Sequence, residues 1–354
     1  MDFGINIAPA ADSWKVVERA EELGFSHAWF YDTQLLNADV FVAMAAAAVK
    51  TERIRLATGV LIPSNRIAPV TASALASLNR LAPGRIDFGI GTGFTARRTM
   101  GLGAVTLAAT REYVRIVRAL LDRETTEWEF EGKRRKIRFL NPELELINTN
   151  DPIPFHFGAL GPKGKKLAAE TGMNWLIPIR DNGAAVSQVR AMQDEWRNAG
   201  RDPAGLYTTA QVGGCILADG EDAGGARAKA QGGPAAAMVM HDMVEADQFG
   251  TQGYKIPDEA RPILDAYKAL YEGYEPEDAR YLSVHRGHLM ILRPEEEHLI
   301  GGDLIKALSF TATAPELRER IRGLRDAGYS QVSFHIRYGQ DHTLDEWAEL
   351  VASV

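Results

Sequence analysis

Short apolar segments alternate with amphipathic segments along the chain, and this alternation is the feature that most constrains its fold. Each apolar segment has the length of a buried strand, and glycine commonly ends the amphipathic segments, as it does at a helix C-terminus. Strands that are separated by helices pair in parallel, and eight such units can close into a barrel. The sequence therefore predicts an α/β protein in which residues 1–354 form a single (β/α)8 TIM-barrel domain with insertions. The strands are expected at residues 3–8, 27–31, 54–62, 86–90, 154–158, 174–179, 206–217 and 331–336.

Two segments interrupt the alternation and are interpreted as insertions. Residues about 125–150 contain two strand-like runs on either side of a basic turn, which indicates a hairpin. The basic turn could bind a phosphate or substrate, or it could be a solvated hairpin tip, which is the commoner case. Residues about 219–309 have a mainly helical pattern. We expect this helical insertion to cover the C-terminal ends of the strands as a lid, because functional loops lie at that face of a TIM barrel.

The composition excludes several classes of function. The chain of 354 residues carries a net charge of -7, which does not suit a nucleic-acid partner. Because no apolar run reaches the roughly 20 residues that span a bilayer, and no leader pattern is visible, we expect no membrane association and a cytoplasmic location. The single cysteine, Cys215, lies in an apolar run and is expected to be a buried core residue. The expected partner is a small-molecule substrate.

The ends of the predicted strands are expected to form the active site, as they do in TIM-barrel enzymes. These ends are rich in glycine, threonine and uncharged polar side chains, and they lack the clustered His, Asp and Glu side chains of a metal site. We therefore expect an organic cofactor and no metal. The fourth strand runs into Gly89, Gly91 and Gly93, whose alternate spacing differs from the dinucleotide-binding fingerprint. Glycine at these positions allows a ligand to approach the backbone closely.

Three of these strand ends together resemble the bacterial-luciferase-like superfamily. The motifs are Trp29-Phe30-Tyr31-Asp32, Thr58-Gly59-Val60 and Gly89-Ile90-Gly91-Thr92-Gly93. Within the superfamily, Asp32-Thr33-Gln34 and Thr58-Gly59-Val60 are similar to the branch that contains methylenetetrahydromethanopterin reductase. The resemblance implies an oxidoreductase on a TIM barrel that uses coenzyme F420 or FMN.

The resemblance also implies which residues surround the ring of the cofactor. Thr58, Gly59 and Val60 match the position of a bulge with a cis peptide bond behind the ring, although a simple β-bulge would fit the sequence equally well. Asp32 matches a position near the ring edge, and the alternative is that it caps the helix after the second strand. Further positions near the cofactor are Gly91, Thr92 and Gly93, with Thr95 and Arg97 as additional candidates.

A second part of the implied site would hold the cofactor phosphate. The segment after the fifth strand resembles the turn in which backbone N–H groups at a helix N-terminus bind that phosphate. The residues assigned to this turn are Gly158, Gly161, Pro162 and Lys163.

Three histidines are the candidates for acid–base chemistry. His156 lies in the fifth strand and His335 in the eighth, and each could equally be a core residue. His288 lies in the helical insertion, where it could line a lid over the substrate or be a solvated residue. It belongs to a dense group of histidines and glutamates over residues 285–298, but the spacing differs from the His-Glu-x-x-His pattern of a helical zinc site.

The expected function is hydride transfer to or from a small organic substrate. An FMN-dependent monooxygenase that uses oxygen is the alternative, and a non-catalytic flavin-binding protein is a further one. A cofactor-free hydrolase or aldolase is disfavoured, because the strand ends carry no cluster of carboxylates or lysines. We also expect a homodimer or a higher homo-oligomer.

Overall fold

The computed structural model describes residues 1–180, 182–250 and 258–354. Its strands are β1 (Asp2–Ile7), β2 (His27–Phe30), β3 (Arg55–Leu61), β4 (Ile86–Ile90), β5 (Thr126–Phe130), β6 (Lys133–Ile137), β7 (Phe155–Gly158), β8 (Asn174–Pro178), β9 (Thr208–Val212), β10 (Ile216–Leu217), β11 (Ala312–Thr313) and β12 (Gln331–Ile336). Its helices are α1 (Trp14–Glu22), α2 (Val40–Ala48), α3 (Ala68–Leu81), α4 (Phe94–Arg98), α5 (Leu107–Leu121), α6 (Pro162–Thr171), α7 (Asn182–Asn198), α8 (Ala226–Val244), α9 (Ala246–Phe249), α10 (Arg261–Glu272), α11 (Tyr281–Val284), α12 (Gly302–Leu308), α13 (Ala314–Ala327) and α14 (Thr343–Val351).

Eight of these strands close into a barrel in the order β1-β12-β9-β8-β7-β4-β3-β2. The first and last strands close it in parallel register, with Asp2 opposite Gln331 and Ile7 opposite Ile336. Buried aliphatic and aromatic side chains of the strands and the surrounding helices form the main hydrophobic core. The predicted (β/α)8 TIM barrel is confirmed. Among the described residues, no helix has the length and apolar character needed to cross a membrane.

The prediction of one long strand over residues 206–217 was wrong. β9 ends at Val212, and the chain leaves the barrel at Gly213 and Gly214 before the two-residue strand β10 pairs with β11. A Cβ on Gly214 would lie 2.2 Å from the Phe310 backbone, so the departing chain packs against the returning one. Cys215, in this segment, is fully buried as expected, and burial raises the pKa of its thiol to about 12.

The two insertions have different surroundings. β5 and β6 form an antiparallel hairpin, and residues 133–136 at its basic turn are exposed. The helical insertion contains α8 to α12 and has its own apolar core, in which Met240, Tyr267 and Ile305 are fully buried. Residues of α8 and α12 face the C-terminal ends of the barrel strands across a pocket.

Candidate active site

The pocket lies between the C-terminal ends of the barrel strands and the helical insertion. Its empty space is about 1080 Å³, including the part that is open to solvent. The insertion contributes Met238 of α8 and Leu308 of α12 to the wall. Seven of the residues predicted from the sequence line this pocket together: Asp32, Gly59, Val60, Gly93, Thr95, His288 and His335.

Glycines within and just after β4 make room for a bulge in β3. The peptide bond between Gly59 and Val60 is cis, and the register between β3 and β4 shifts after Thr58. A Cβ on Gly89 would lie 2.1 Å from the Thr58 carbonyl oxygen, and one on Gly91 would lie 2.6 Å from Val60 Cγ2. These glycines therefore let β4 pack directly against the bulge. Thr58 and Gly91 support the pocket wall from behind, whereas Gly59 and Val60 form its surface.

Gly93 and Thr92 shape the turn that leads into α4. Gly93 has a φ of +81°, in the region that favours glycine, and a Cβ there would lie 2.4 Å from Ile62 Cγ2. The Thr92 carbonyl accepts a hydrogen bond from Val105 N at 2.8 Å, which closes the loop after α4. Gly93 lines the pocket, and Thr92 is not among the residues that line it.

Asp32 is held by the loop that follows β3. Its carboxylate is buried and accepts hydrogen bonds from Ile62 N at 3.2 Å, Asn65 Nδ2 at 3.1 Å and Arg66 Nη1 at 2.9 Å. Arg66 also pairs with Asp39. It is Asp39 that caps α2, by accepting hydrogen bonds from two backbone N–H groups of its first turn. The alternative role of Asp32 as the cap of that helix was therefore wrong.

His335 and Tyr31 form a hydrogen-bonded pair in the pocket wall. The Tyr31 hydroxyl bonds to Nδ1 of His335. Burial lowers the pKa of His335 well below its usual value and raises the pKa of Tyr31, so both side chains are neutral at pH 7. If the phenol donates to Nδ1, Nε2 of His335 carries the proton and is the donor available to a ligand.

Arg337 places a buried positive charge beside this pair. Its Nη1 donates to the Leu289 carbonyl at 2.7 Å and its Nε to the Gln231 carbonyl at 3.3 Å, whereas Nη2 is buried and has no hydrogen-bond partner among the residues that the structure describes. Burial lowers the pKa of Arg337 to about 10, which still leaves it protonated at pH 7. A Cβ on Gly213 would lie 2.4 Å from Nη2, so glycine at this strand end creates the space that the guanidinium occupies.

His156 lies inside the barrel and is not among the residues that line the pocket. It is 2% exposed, and its Nε2 donates to Asp87 at 3.1 Å. Asp87 also accepts from Arg55 Nε at 2.6 Å, and the His156 ring packs edge-on against Trp29. These contacts stabilise the charge of a buried carboxylate, so the position of His156 fits a structural role inside the barrel and not the predicted catalytic one.

The predicted phosphate-binding turn is exposed at the start of α6. Gly161, Pro162 and Lys163 are exposed, and no side chain caps this helix N-terminus. A Cβ on Gly158 would lie 3.2 Å from Val60 Cγ1, so the strand end before the turn contacts the β3 bulge. The turn itself is not part of the pocket lining.

Arg337 and Gly213 were not predicted from the sequence to be site residues. A signal for Arg337 was present, because side chains two residues apart on a strand point to the same face and His335 had been selected. The closeness of Gly213 to Arg337 joins two segments far apart in sequence, and no local pattern indicates it.

Comparison with known proteins supplies the family. The sequence profile of luciferase-like monooxygenases matches residues 6–331. The chain belongs to this family. It is 32% identical over 239 residues to a 5,10-methylenetetrahydromethanopterin reductase from Methanolobus tindarius, an alignment that covers 65% of this chain and 69% of the relative.

Solved structures share the fold over almost the entire chain. The coenzyme F420-dependent tetrahydromethanopterin reductase from Methanopyrus kandleri has a TM-score of 0.69 at 21% identity, and the match covers 99% of this chain and 98% of that one. A type II Baeyer–Villiger monooxygenase from Pseudomonas putida, in complex with FMN, has a TM-score of 0.62 at 15% identity, with 99% and 95% covered. An F420-dependent reductase and an FMN-bound monooxygenase thus share the barrel fold of this chain.

Proposed function

We propose that this protein is an F420-dependent oxidoreductase that transfers a hydride to or from a small organic substrate. The observation that carries the proposal is Arg337, a buried cation in the pocket wall whose Nη2 finds no acceptor in the described part of the chain. A buried donor without a partner is costly, and an anionic or electron-rich ligand edge would satisfy it. The likeness to the M. tindarius reductase and to the F420-dependent structure supports the same class.

The residues of the pocket fit a flat heteroaromatic cofactor. Gly59 and Gly93 present little side-chain bulk, and Val60 supplies an apolar surface against which one face of a ring can pack. Arg337 and His335 supply polar donors on the opposite part of the lining. An apolar surface with a few fixed polar groups is typical of sites for organic cofactors.

In the mechanism, the protein supplies orientation, electrostatics and exclusion of water. When bound, F420 supplies two-electron hydride chemistry. Val60 and the backbone at Gly59 would support one face of the ring, and Arg337 would donate a hydrogen bond to it. His335 donates from Nε2 to a substrate oxygen or nitrogen, while Tyr31 fixes the tautomer of the imidazole. Met238, in the insertion, helps to separate the reacting atoms from bulk water.

We further propose that the N-terminus of α6 binds the phosphate of the cofactor. A helix N-terminus carries partial positive charge and unpaired N–H groups, which suit an anion. Gly158 contacts Val60 through the strand end, so the turn lies beside the wall that supports the ring. Gly161 and Lys163 are exposed and accessible to such a group.

An FMN-dependent monooxygenase is the second candidate, and the structural likeness to the FMN-bound P. putida enzyme favours it. A non-catalytic flavin-binding protein is less well supported, since the space above Val60 is open and carries polar groups at its wall.

Separate titrations of the protein with F420 and FMN, followed by the shift of each cofactor's absorption band, test the proposal. We expect F420 to bind. Arg337→Met removes a hydrogen bond from a charged group, worth about 1.5–3 kcal/mol, and should weaken F420 roughly 10- to 100-fold. Arg197→Met, which changes an arginine near the C-terminal end of α7 whose side chain is 56% exposed, is the matched control and should not alter affinity. Binding of FMN without F420 would overturn the cofactor assignment, and equal affinity in the Arg337 variant would overturn the role of that residue.

A further inference from the structure

Three buried histidines converge in the helical insertion. His241 lies in α8, and His285 and His288 follow α11; their exposed fractions are 3%, 2% and 8%. One ring nitrogen of each residue lies within 4.8 Å of those of the other two. The ring centroids are 5.3 to 6.2 Å apart, so the three imidazoles surround a common point.

The outer nitrogen of each ring has an oxygen partner. Two of the partners are buried carboxylates and one is a hydroxyl, and each can accept a hydrogen bond from Nε2–H. A carboxylate behind a histidine is the arrangement that orients metal-binding imidazoles in proteins. The pairs are His241 with Glu296 at 2.6 Å, His285 with Glu245 at 2.9 Å and His288 with Thr95 at 3.1 Å.

The two carboxylates set the tautomers of His241 and His285, and the Thr95 hydroxyl can accept from Nε2–H of His288 in the same way. With Nε2 protonated in all three rings, each Nδ1 carries a lone pair that faces the other two rings. The Nδ1 atoms of His241 and His288 are 3.3 Å apart, and Nδ1 of His285 is buried with no hydrogen-bond partner within residues 1–180, 182–250 and 258–354. A proton on Nδ1 of His241 or His288 could join these two rings, but it would leave Nδ1 of His285 without a partner among the described residues, whereas one cation between the three lone pairs satisfies all of them. Tetrahedral zinc with bonds of about 2.05 Å to nitrogen places its ligand atoms about 3.3 Å apart, the spacing of His241 and His288.

We propose that His241, His285 and His288 bind one divalent transition-metal ion of the zinc class through their Nδ1 atoms. Imidazole nitrogen is a preferred ligand of such ions, and three protein ligands leave one position for water. Burial lowers the pKa of His241 and of His288, which keeps both rings in the neutral form that coordinates metals. This inference revises the expectation of no metal, which considered residues 285–298 without His241.

The ion would join parts of the insertion to each other and to the pocket. It links α8 with the segment after α11, and His288 lines the pocket and bonds to Thr95 of the barrel. Arg98 pairs with Asp242 at 3.1 Å and with Glu245 at 3.4 Å, which adds a second connection between barrel and insertion. The metal would thus hold in place the part of the pocket wall that belongs to the insertion.

Metal analysis of the full-length protein tests this inference independently of any cofactor. The protein is stripped with a chelator, loaded with Zn²⁺ or Co²⁺, desalted and analysed by elemental mass spectrometry. We expect about one ion per chain, and for Co²⁺ the visible spectrum of a tetrahedral nitrogen-ligated site. His285→Ala should lose the ion, whereas Glu245→Gln should weaken binding roughly 10- to 100-fold by releasing the ring of His285.

The control is His298→Ala, which removes an exposed histidine of the same insertion and should keep the ion. Absence of stoichiometric Zn²⁺ and Co²⁺ in the unmodified protein would overturn the proposal, even if the His285 variant did not fold. Full occupancy in a folded His285→Ala protein would overturn it as well.

Discussion

Replacing Asp32 by asparagine tests whether this carboxylate organises the pocket through the protein or touches the cofactor. Asp32 and Asp39 both pair with Arg66, but their side chains are 3% and 47% exposed. Removing the charge of Asp32 leaves a largely buried Arg66 without its inner partner, and loss of one member of a buried pair costs about 3 kcal/mol or more. Asp39→Asn keeps a good helix cap and loses an exposed ion pair, so it should cost about 0.5 kcal/mol.

Urea unfolding, followed by tryptophan fluorescence, measures the free energy of unfolding of both variants. We expect Asp32→Asn to lose at least about 2 kcal/mol more than Asp39→Asn. Cofactor affinity of Asp32→Asn, measured on the same samples below the unfolding transition, should fall because the loop after β3 is no longer held in place. Equal losses of stability would refute the reasoning from burial. Unchanged stability with much weaker cofactor binding would show instead that Asp32 contacts the cofactor, as the family resemblance implied.

Three further predictions follow from the same structure. Gly213→Ala should displace Arg337 and weaken cofactor binding without changing the circular dichroism spectrum. Gly205→Ala is the control, because an added Cβ there meets no atom within 4 Å, and it should change neither the position of Arg337 nor cofactor affinity. Gly161→Asp should weaken the intact cofactor roughly tenfold or more and a phosphate-free analogue much less; equal effects on both would place the phosphate elsewhere. Burial lowers the pKa of His27 from 6.5 to about 4, so the unfolded chain binds its proton more readily and stability falls as the pH decreases from 6.5 to 4. The loss is about 3 kcal/mol, and urea unfolding of His27→Asn should lack it; the same pH dependence in that variant would contradict the assignment.

The barrel could be predicted because its signals are local. Each strand is an apolar run followed by a helix with recognisable ends. These patterns can be recognised without knowing which distant residues are in contact. The error over residues 206–217 has the opposite origin. Gly213 and Gly214 end the strand because Arg337 and the Phe310 backbone occupy the space that side chains there would need. Those contacts join segments about one hundred residues apart or more.

Part of the site could also be predicted because its signals are local. Gly59, Val60 and Gly93 carry a motif that the family resemblance located, and they line the pocket. Residues defined by distant partners were misjudged or missed. His156 was selected for its residue type, but its contact with Asp87 gives it a structural role. His241 lies 44 positions before His285, and only the packing of α8 brings it to the histidine cluster.

The crystal structure of the protein grown with oxidised F420 is the measurement that tests the proposed function most directly. We expect one face of the deazaflavin ring to pack on Gly59 and Val60 and its polar edge to accept a hydrogen bond from Arg337 Nη2. The phosphate should lie at the N-terminus of α6. A ring located outside the pocket, or an Arg337 that keeps Nη2 unpartnered in the complex, would contradict the account.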